Sequence, residues 1–218
     1  AYRAVGGAIC AVDTVLSGKA KNAFVAVRPP GHHAETQVPM GFCIFGNIAI
    51  AAKHALDFHK LSKVAVVDFD VHHGNGTQDL LWNEPRALTI TSHQMPLWPG
   101  TGRPEDRGEF DNVLNLPLPP NSGGSYMKSI YREKVFPKIS SFSPDLILIS
   151  AGFDAHIDDP LAELNWEVDD FVWITKELCN LAKDCCSSRV VSILEGGYNL
   201  DALAACTKAH IESLIEAN

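Results

Sequence analysis

The chain has 218 residues, 46% of them hydrophobic, with Lys+Arg 18 against Asp+Glu 26 and a formal net charge of −8. That length suits a single sizeable core, so residues 1–218 are read as one domain. The acidic balance excludes a surface built to hold nucleic acid or anionic lipid directly, and would attract cationic ligands instead.

No run approaches the ~20 apolar residues needed to span a bilayer. No basic start followed by a short apolar stretch marks a secretory signal. The six cysteines (Cys10, Cys43, Cys179, Cys185, Cys186, Cys206) contain no C-x-x-C pair, and several lie inside apolar runs. They read as buried, reduced thiols of a cytoplasmic protein. A monomer and a homo-oligomer are both compatible with this composition.

The chain opens within a helical pattern. Along it, short runs of β-branched residues alternate with longer amphipathic stretches. Strands are predicted at Ala23 to Val27, Lys63 to Phe69, Ala87 to Thr91, Asp145 to Ser150 and Arg189 to Leu194. Helical spacing appears at Ile48 to Leu61, Tyr126 to Ile139, Asp169 to Ala182 and Leu200 to Ile215. The alternation predicts an α/β fold, a parallel β-sheet covered by helices on both faces.

Each predicted strand except the third runs directly into an unusual polar cluster. These are Arg28-Pro29-Pro30-Gly31-His32-His33, the stretch from Asp68 to Gly76, Ala151-Gly152-Phe153-Asp154 and Glu195-Gly196-Gly197-Tyr198. The third ends in Thr91-Ser92-His93. Ligands bind outside the carboxyl ends of strands in open α/β sheets, so these clusters are expected to converge on one site. The Gly/Pro-rich stretch from Pro96 to Gly108 is a candidate wall.

Asp68-x-Asp70-x-His72 at a strand end is expected to point three side chains to one side of an extended backbone, because strand side chains alternate with period 2. Carboxylate and imidazole are ordinary zinc ligands, and Asp154 at another strand end can complete a set that leaves room for water and substrate. Two oxygens and one nitrogen also accept ferrous iron. Taken singly, the two aspartates could be helix caps and His72 a buried, hydrogen-bonded imidazole. His32 and His33 follow the rigid Pro29-Pro30-Gly31 turn, which holds two proton carriers side by side. Tyr198, after two glycines, could donate to a developing oxyanion or simply pack over the next helix.

R-P-P-G-H-H, D-F-D-V-H-H-G-N-G-T-Q, P-G-T-G, S-A-G-F-D-A and L-E-G-G-Y-N, in this order from Arg28 to Asn199, resemble the histone deacetylase superfamily. The Asn75 variant is closer to class II and its bacterial relatives, which include acetylpolyamine amidohydrolases and acetoin utilisation proteins. The resemblance implies a zinc-dependent deacylase acting on an acylated lysine peptide or protein, or on an acylated small amine. It implies Asp70, His72 and Asp154 as zinc ligands, His33 as general base and acid, His32 as its partner, and Tyr198 as oxyanion donor. Asp68 would orient His32, and Asn75 stands where class I enzymes have an aspartate behind His33. Gly41, Phe42, Trp98, Leu161, Gly196 and Gly197 fall at positions lining the acyl-lysine tunnel. A structural potassium would use Asp68, the backbone of Asp70 and His72, and Thr91 and Ser92.

Two departures follow from the same resemblance. The family's N-terminal segment, with an acidic residue at the rim, has no counterpart, so the chain is expected to be an N-terminally truncated catalytic domain. Polyamine-selective members carry an acidic residue after Asp-Pro, where Asp159-Pro160 is followed here by Leu161. Two other readings stay open: a binuclear ureohydrolase of the arginase type, and a non-enzymatic acyl-lysine binding module.

Overall fold

Val64 to Val67 and Leu146 to Ile149 are apolar at consecutive positions, so both faces of any strands they form must be covered. The computed structural model, which describes residues 1–217, meets that demand. Among the described residues six parallel strands form one sheet: β1 (Asn22–Val25), β2 (Val64–Asp68), β3 (Ala87–Gln94), β4 (Val113–Leu118), β5 (Leu146–Ala151) and β6 (Val190–Leu194). Their spatial order is β1-β6-β5-β2-β3-β4.

Period-2 alternation divides the core. Val64 and Val66 of β2 pack with Leu146 and Leu148 of β5 under α1 (Tyr2–Leu16) and α2 (Asn47–Asp57). Ala65, Val67, Ile147 and Ile149 face the other way, under α6 (Val168–Cys186) and α7 (Leu200–Glu216). A short helix α3 (Asn75–Leu81) adds Leu81 to the first layer. On the second lie α4 (Gly124–Ile130), a π-turn at Tyr131–Val135 and α5 (Phe136–Phe142), which occupy the stretch predicted as one helix.

The chain reaches the sheet centre at β2, travels outward through β3 to β4, and returns to β5 on the opposite side of β2. The strand order therefore reverses between β2 and β5, the place where open α/β sheets form their binding crevice. The segments following these two strands carry Asp70, His72 and Asp154.

Several expectations need correction. The third strand does not stop at Thr91 but continues to Gln94, so Thr91, Ser92 and His93 lie within it rather than in the following loop. The residue pattern does not predict the fourth strand, because Asn115 and Pro117 interrupt its apolar run; a proline is tolerated there because β4 is an edge strand. The second helix ends at Asp57 rather than Leu61, since Lys60 adopts a left-handed backbone. Cys10 is exposed and Cys185 half-buried, whereas Cys43, Cys179, Cys186 and Cys206 are buried; all are free thiols.

One buried histidine ties the second layer to the sheet. Thr175 on α6 donates its hydroxyl to the Phe171 carbonyl (2.6 Å), so it accepts from His210 Nδ1–H (2.7 Å), leaving Nε2 to accept from Ser192 Oγ on β6 (2.8 Å). Burial holds the His210 pKa down to about 3. A histidine released on unfolding titrates near ~6.5. Between these values the unfolded chain binds the extra proton, so the stability His210 contributes is present above the unfolded pKa and lost as pH falls through this window. His210→Gln should be less stable at pH 7, yet lose stability less steeply between pH 6 and 4, by up to about 1.4 kcal/mol per pH unit. Urea unfolding at several pH values checks this; a slope identical to that of the parent chain would refute the buried neutral state.

Candidate metal centre and active-site pocket

Beyond β2 the backbone is no longer extended, and the three-residue alternation expected from a strand pleat is achieved in another way. Asp68 Oδ1 accepts from Asp70 N (3.1 Å), and Asp70 Oδ1 accepts from His72 N (2.9 Å). Each aspartate thus turns the chain two residues ahead, as Asx-turns do. Asp154, carried just past β5, accepts Val71 N at 2.9 Å and so fastens this loop to the neighbouring strand end.

The result is a tight cluster. His72 Nδ1 lies 3.1 Å from Asp70 Oδ1 and 3.1 Å from Asp154 Oδ2, and one ligand atom from each residue falls within 4.8 Å of the others. Both carboxylates are fully buried. Gly196 permits their approach: a Cβ there would stand 2.2 Å from Asp154 Oδ2 and 2.6 Å from Asp70 Oδ2, while its N–H donates to Asp70 Oδ2 (2.8 Å).

The electrostatics call for a positive charge among these groups. Burial by itself would lower the His72 pKa, but hydrogen bonds to Asp154 and Asp70 outweigh it and raise the value to about 10. Burial, with the charge of Asp70 added, pushes Asp154 up to about 7. Asp70 stays ionised: the positive His32 and its bond to His72 overcome the burial that would raise it. Two buried carboxylates and an imidazole nitrogen, all within reach of one point, fit a divalent cation that would replace the proton on His72.

Behind this cluster the two histidines stack, with ring centroids 3.9 Å apart. His32 Nδ1 is 3.0 Å from Asp68 Oδ2. Burial would depress His32, but Asp70, Asp68 and Glu195 hold it well above the ordinary value. His33 Nδ1 meets Asn75 Oδ1 at 2.7 Å, and Asn75 Nδ2 donates to Glu35 Oε1 at 2.7 Å. The amide can therefore only accept from His33, which fixes Nδ1–H and leaves Nε2 with a free lone pair. Burial and the charge on His32 hold the His33 pKa down to about 3, so this imidazole is neutral.

A pocket of about 310 Å³ opens above, lined by His33, Gly41, Phe42, His72, Leu97, Trp98, Leu161 and Tyr198. Gly41 has φ of 54°, and a Cβ on it would lie 2.3 Å from the His33 ring and 2.7 Å from Trp98. Phe42, Trp98 and Leu161 are each about half exposed or more, forming an apolar mouth. Burial, then the charges of Asp70 and Asp154, keep the Tyr198 phenol protonated well above its ordinary pKa. Gly196 packs against the Asp70 and Asp154 carboxylates, and the Gly197 φ of 136° turns the chain into Tyr198.

Thr91 is paired in register with Asp68 across β2 and β3, and its buried hydroxyl has no partner among the described residues. Ser92 Oγ, by contrast, is engaged by the Tyr131 hydroxyl at 2.7 Å.

Three supports were not evident from the residue pattern. Glu195 is buried beneath the histidine turn, where Oε2 accepts Gly31 N (2.7 Å) and His32 N (3.1 Å), and Arg28 Nη1 donates to the Glu195 carbonyl (2.9 Å). Asp159 accepts Tyr198 N through Oδ2 (2.8 Å) and Leu161 N through Oδ1 (3.0 Å), joining two walls of the pocket. His73 and His93 reach Thr101 Oγ1 (2.8 Å) and the Gly102 carbonyl (3.1 Å), anchoring the loop that bears Trp98. An acid just before the Gly-Gly pair is the only sequence signal of the first.

The parallel α/β sheet, with an acid and imidazole cluster at its switch point under an apolar mouth, defines the class of α/β proteins with a strand-end crevice whose side chains could hold a metal ion. Residues 1–214 match the family model described as the histone deacetylase domain, and the chain belongs to the histone deacetylase family. It is 42% identical over 220 residues to "Histone deacetylase 14, chloroplastic" of Arabidopsis thaliana, covering 97% of this chain and 52% of that one. It is 39% identical over 214 residues to a "Probable deacetylase" of Archaeoglobus fulgidus, covering 97% and 59% respectively. Among solved structures, the "HDA15 HD domain" superposes with a TM-score of 0.92 at 36% identity, over 98% of this chain and 60% of that one. The chain thus spans roughly half of the length of the curated relatives it matches.

Replacing Glu195 by alanine should strip two buried N–H groups of their acceptor, at a cost of about 1–3 kcal/mol each. Glu195→Gln, which keeps an acceptor oxygen, should lose much less. Urea titration of both variants checks this; equal losses would mean that the carboxylate charge, not the two bonds, matters.

Proposed function

We propose that this chain is the catalytic part of a zinc-dependent deacylase that hydrolyses the amide of an acylated amine, with acetyl-lysine in a peptide or protein as the preferred substrate. The observation that carries the reading is His72 Nδ1 lying 3.1 Å from each of two buried carboxylates at the floor of an apolar-mouthed pocket. Asp70, His72 and Asp154 would hold the ion, in a set equally acceptable to ferrous iron. When bound, such an ion polarises the acyl carbonyl and makes water more acidic, from ~15.7 towards ~7.

The chain's own groups supply the rest. The neutral His33, its Nε2 free and its Nδ1–H committed to Asn75, accepts the proton of the attacking water. The Tyr198 phenol donates to the oxygen that becomes negative as the carbonyl is attacked. His33, or His32 beside it, returns a proton to the departing amine. Phe42 and Trp98 shield the lysine stem from water and Leu161 closes the mouth without adding charge. The unpartnered Thr91 hydroxyl beside Asp68 supports a structural potassium at Asp68, the carbonyls of Asp70 and His72, and Thr91, with Ser92 less available because Tyr131 already uses it.

The binuclear reading is disfavoured because Asp68, the acid two residues before Asp70, is already committed to His32 and to Asp70 N. The binding-module reading is disfavoured by a pocket lined by both Tyr198 and His33. The acidic body argues against direct nucleic-acid contact, and no helix among the described residues is long and apolar enough to cross a membrane. The free thiols fit a reducing compartment; the cytoplasm is one, and the names of two relatives carry the word chloroplastic.

Tyr198→Phe should lower turnover of an acetyl-lysine peptide roughly 10²-fold or more with metal content unchanged, since loss of one oxyanion donor has that effect. Near-normal turnover would assign Tyr198 to packing. Between substrates, kcat/KM should be higher for the acetyl-lysine peptide than for acetylspermidine, because Leu161 offers no carboxylate to a secondary ammonium. Kinetics at low and high salt check this. A polyamine preference that persists at high salt, where diffuse attraction is screened, would overturn it.

A further inference from the structure

A second group of side chains able to hold a metal lies at the far end of α2 from the histidine turn. Asp13 of α1 receives two imidazoles on one carboxylate oxygen: His54 Nε2 at 2.7 Å from Oδ1 and His59 Nε2 at 2.6 Å. The three ligand atoms all fall within 4.8 Å of one another. Within α2 the amino end abuts the histidine turn, where Asn47 N meets Gly31, whereas His54 occupies the last turn. An 11-residue helix is about 16 Å long, so the two ends serve separate places.

The rings are held rather than free. The chain leaves α2 through a closing turn in which His59 N donates to the His54 carbonyl (3.3 Å) and Leu61 N to the Ala55 carbonyl (3.1 Å), with Lys60 at φ of 60°. This turn brings His59 back beside His54, their centroids 5.1 Å apart. Phe58 stacks on His54 at 4.8 Å with an 11° tilt and presents its edge to His59 at 5.1 Å. Both Nε2 atoms consequently converge on one point at the surface, where each histidine is partly buried and Asp13 is about half exposed.

We propose that Asp13, His54 and His59 form a second metal site, for a borderline divalent ion such as zinc, copper or nickel, that clips α1 to α2. Two imidazoles and one carboxylate suit these ions, whereas magnesium and calcium require mainly oxygen ligands. Bonds of about 2.0–2.2 Å at tetrahedral angles need ligand atoms roughly 3.3 Å apart. The nitrogens now sit at hydrogen-bond distance from the oxygen, so Asp13 must withdraw by several tenths of an ångström, and its exposure permits that. Solvent completes the coordination on the open side.

The clip has something to hold. The buried side of α1 consists of Ala4, Ala8, Ala11, Val12 and Val15, small side chains that secure a helix weakly. A bound ion adds its binding free energy to that contact.

The test uses the untagged chain, equilibrated with micromolar zinc sulfate, desalted, and analysed for zinc by atomic absorption. The parent should carry one equivalent more than His54→Gln/His59→Gln, whatever the occupancy at the strand ends, and Asp154→Ala should lose the other equivalent while keeping this one. Equal zinc in the parent and a folded double variant, with circular dichroism as the check on folding, would overturn the site. Independently of any variant's folding, zinc should shift the ring ¹⁵N resonances of His54 and His59 in the unmodified chain; unchanged resonances would also overturn it.

Discussion

Asp68, Asp70, Asp154 and Glu195 are all buried at the carboxyl ends of adjacent strands, and the structure around them is organised by the need to compensate that charge. An uncompensated buried carboxylate costs several kcal/mol. Compensation comes from two directions. Backbone N–H groups of Gly31, His32, Asp70, Val71, His72 and Gly196 all point at these four side chains, and the imidazoles of His32 and His72 lie between them. Loops that would otherwise wander are consequently pinned by the acids they solvate. The site is rigid for the same reason that it is charged.

Topology makes this concentration of charge attainable. Because β2 and β5 are neighbours across the reversal in strand order, residues more than eighty positions apart in sequence arrive within hydrogen-bond reach, as Val71 and Asp154 do. A buried β2 flanked by β3 and β5 gives the cluster a floor that cannot shift without disturbing both core layers. The walls of the pocket are hung from this floor separately, Trp98 through the loop held by His73 and His93, Tyr198 and Leu161 through Asp159. Apolar contact shapes the mouth, while polar bonds out of sight set its width.

Much of this was legible in the residues. The continuous apolar runs at Val64 to Val67 and Leu146 to Ile149, and the run at Val190 to Leu194 broken only by Ser192, predict buried parallel strands, and their polar ends predict a convergent crevice. What was not legible involves long-range pairing or local hydrogen bonding that defeats periodicity. Strand β4 hides behind Asn115 and Pro117, which only an edge position excuses. Helix α3 begins at Asn75 inside a motif dominated by loop residues and is only seven residues long. The Asp-x-Asp-x-His spacing suggested a pleat, whereas the chain uses successive Asx-turns to bring the same side chains together. Glu195 is invisible as a support because its partners, Gly31 and His32, lie over 160 positions earlier.

Asn75 carries a further consequence. It stands between the Glu35 carboxylate and His33, donating its Nδ2–H to the first and accepting through Oδ1 from the second. A carboxylate in its place could share the imidazole proton and drain charge outward; an amide can only hold the ring in line. In the proposed reaction it therefore behaves as an insulator at the back of His33. A proton picked up at Nε2 has no rearward exit and stays at the face where the amine must leave, which couples the first proton transfer to the last.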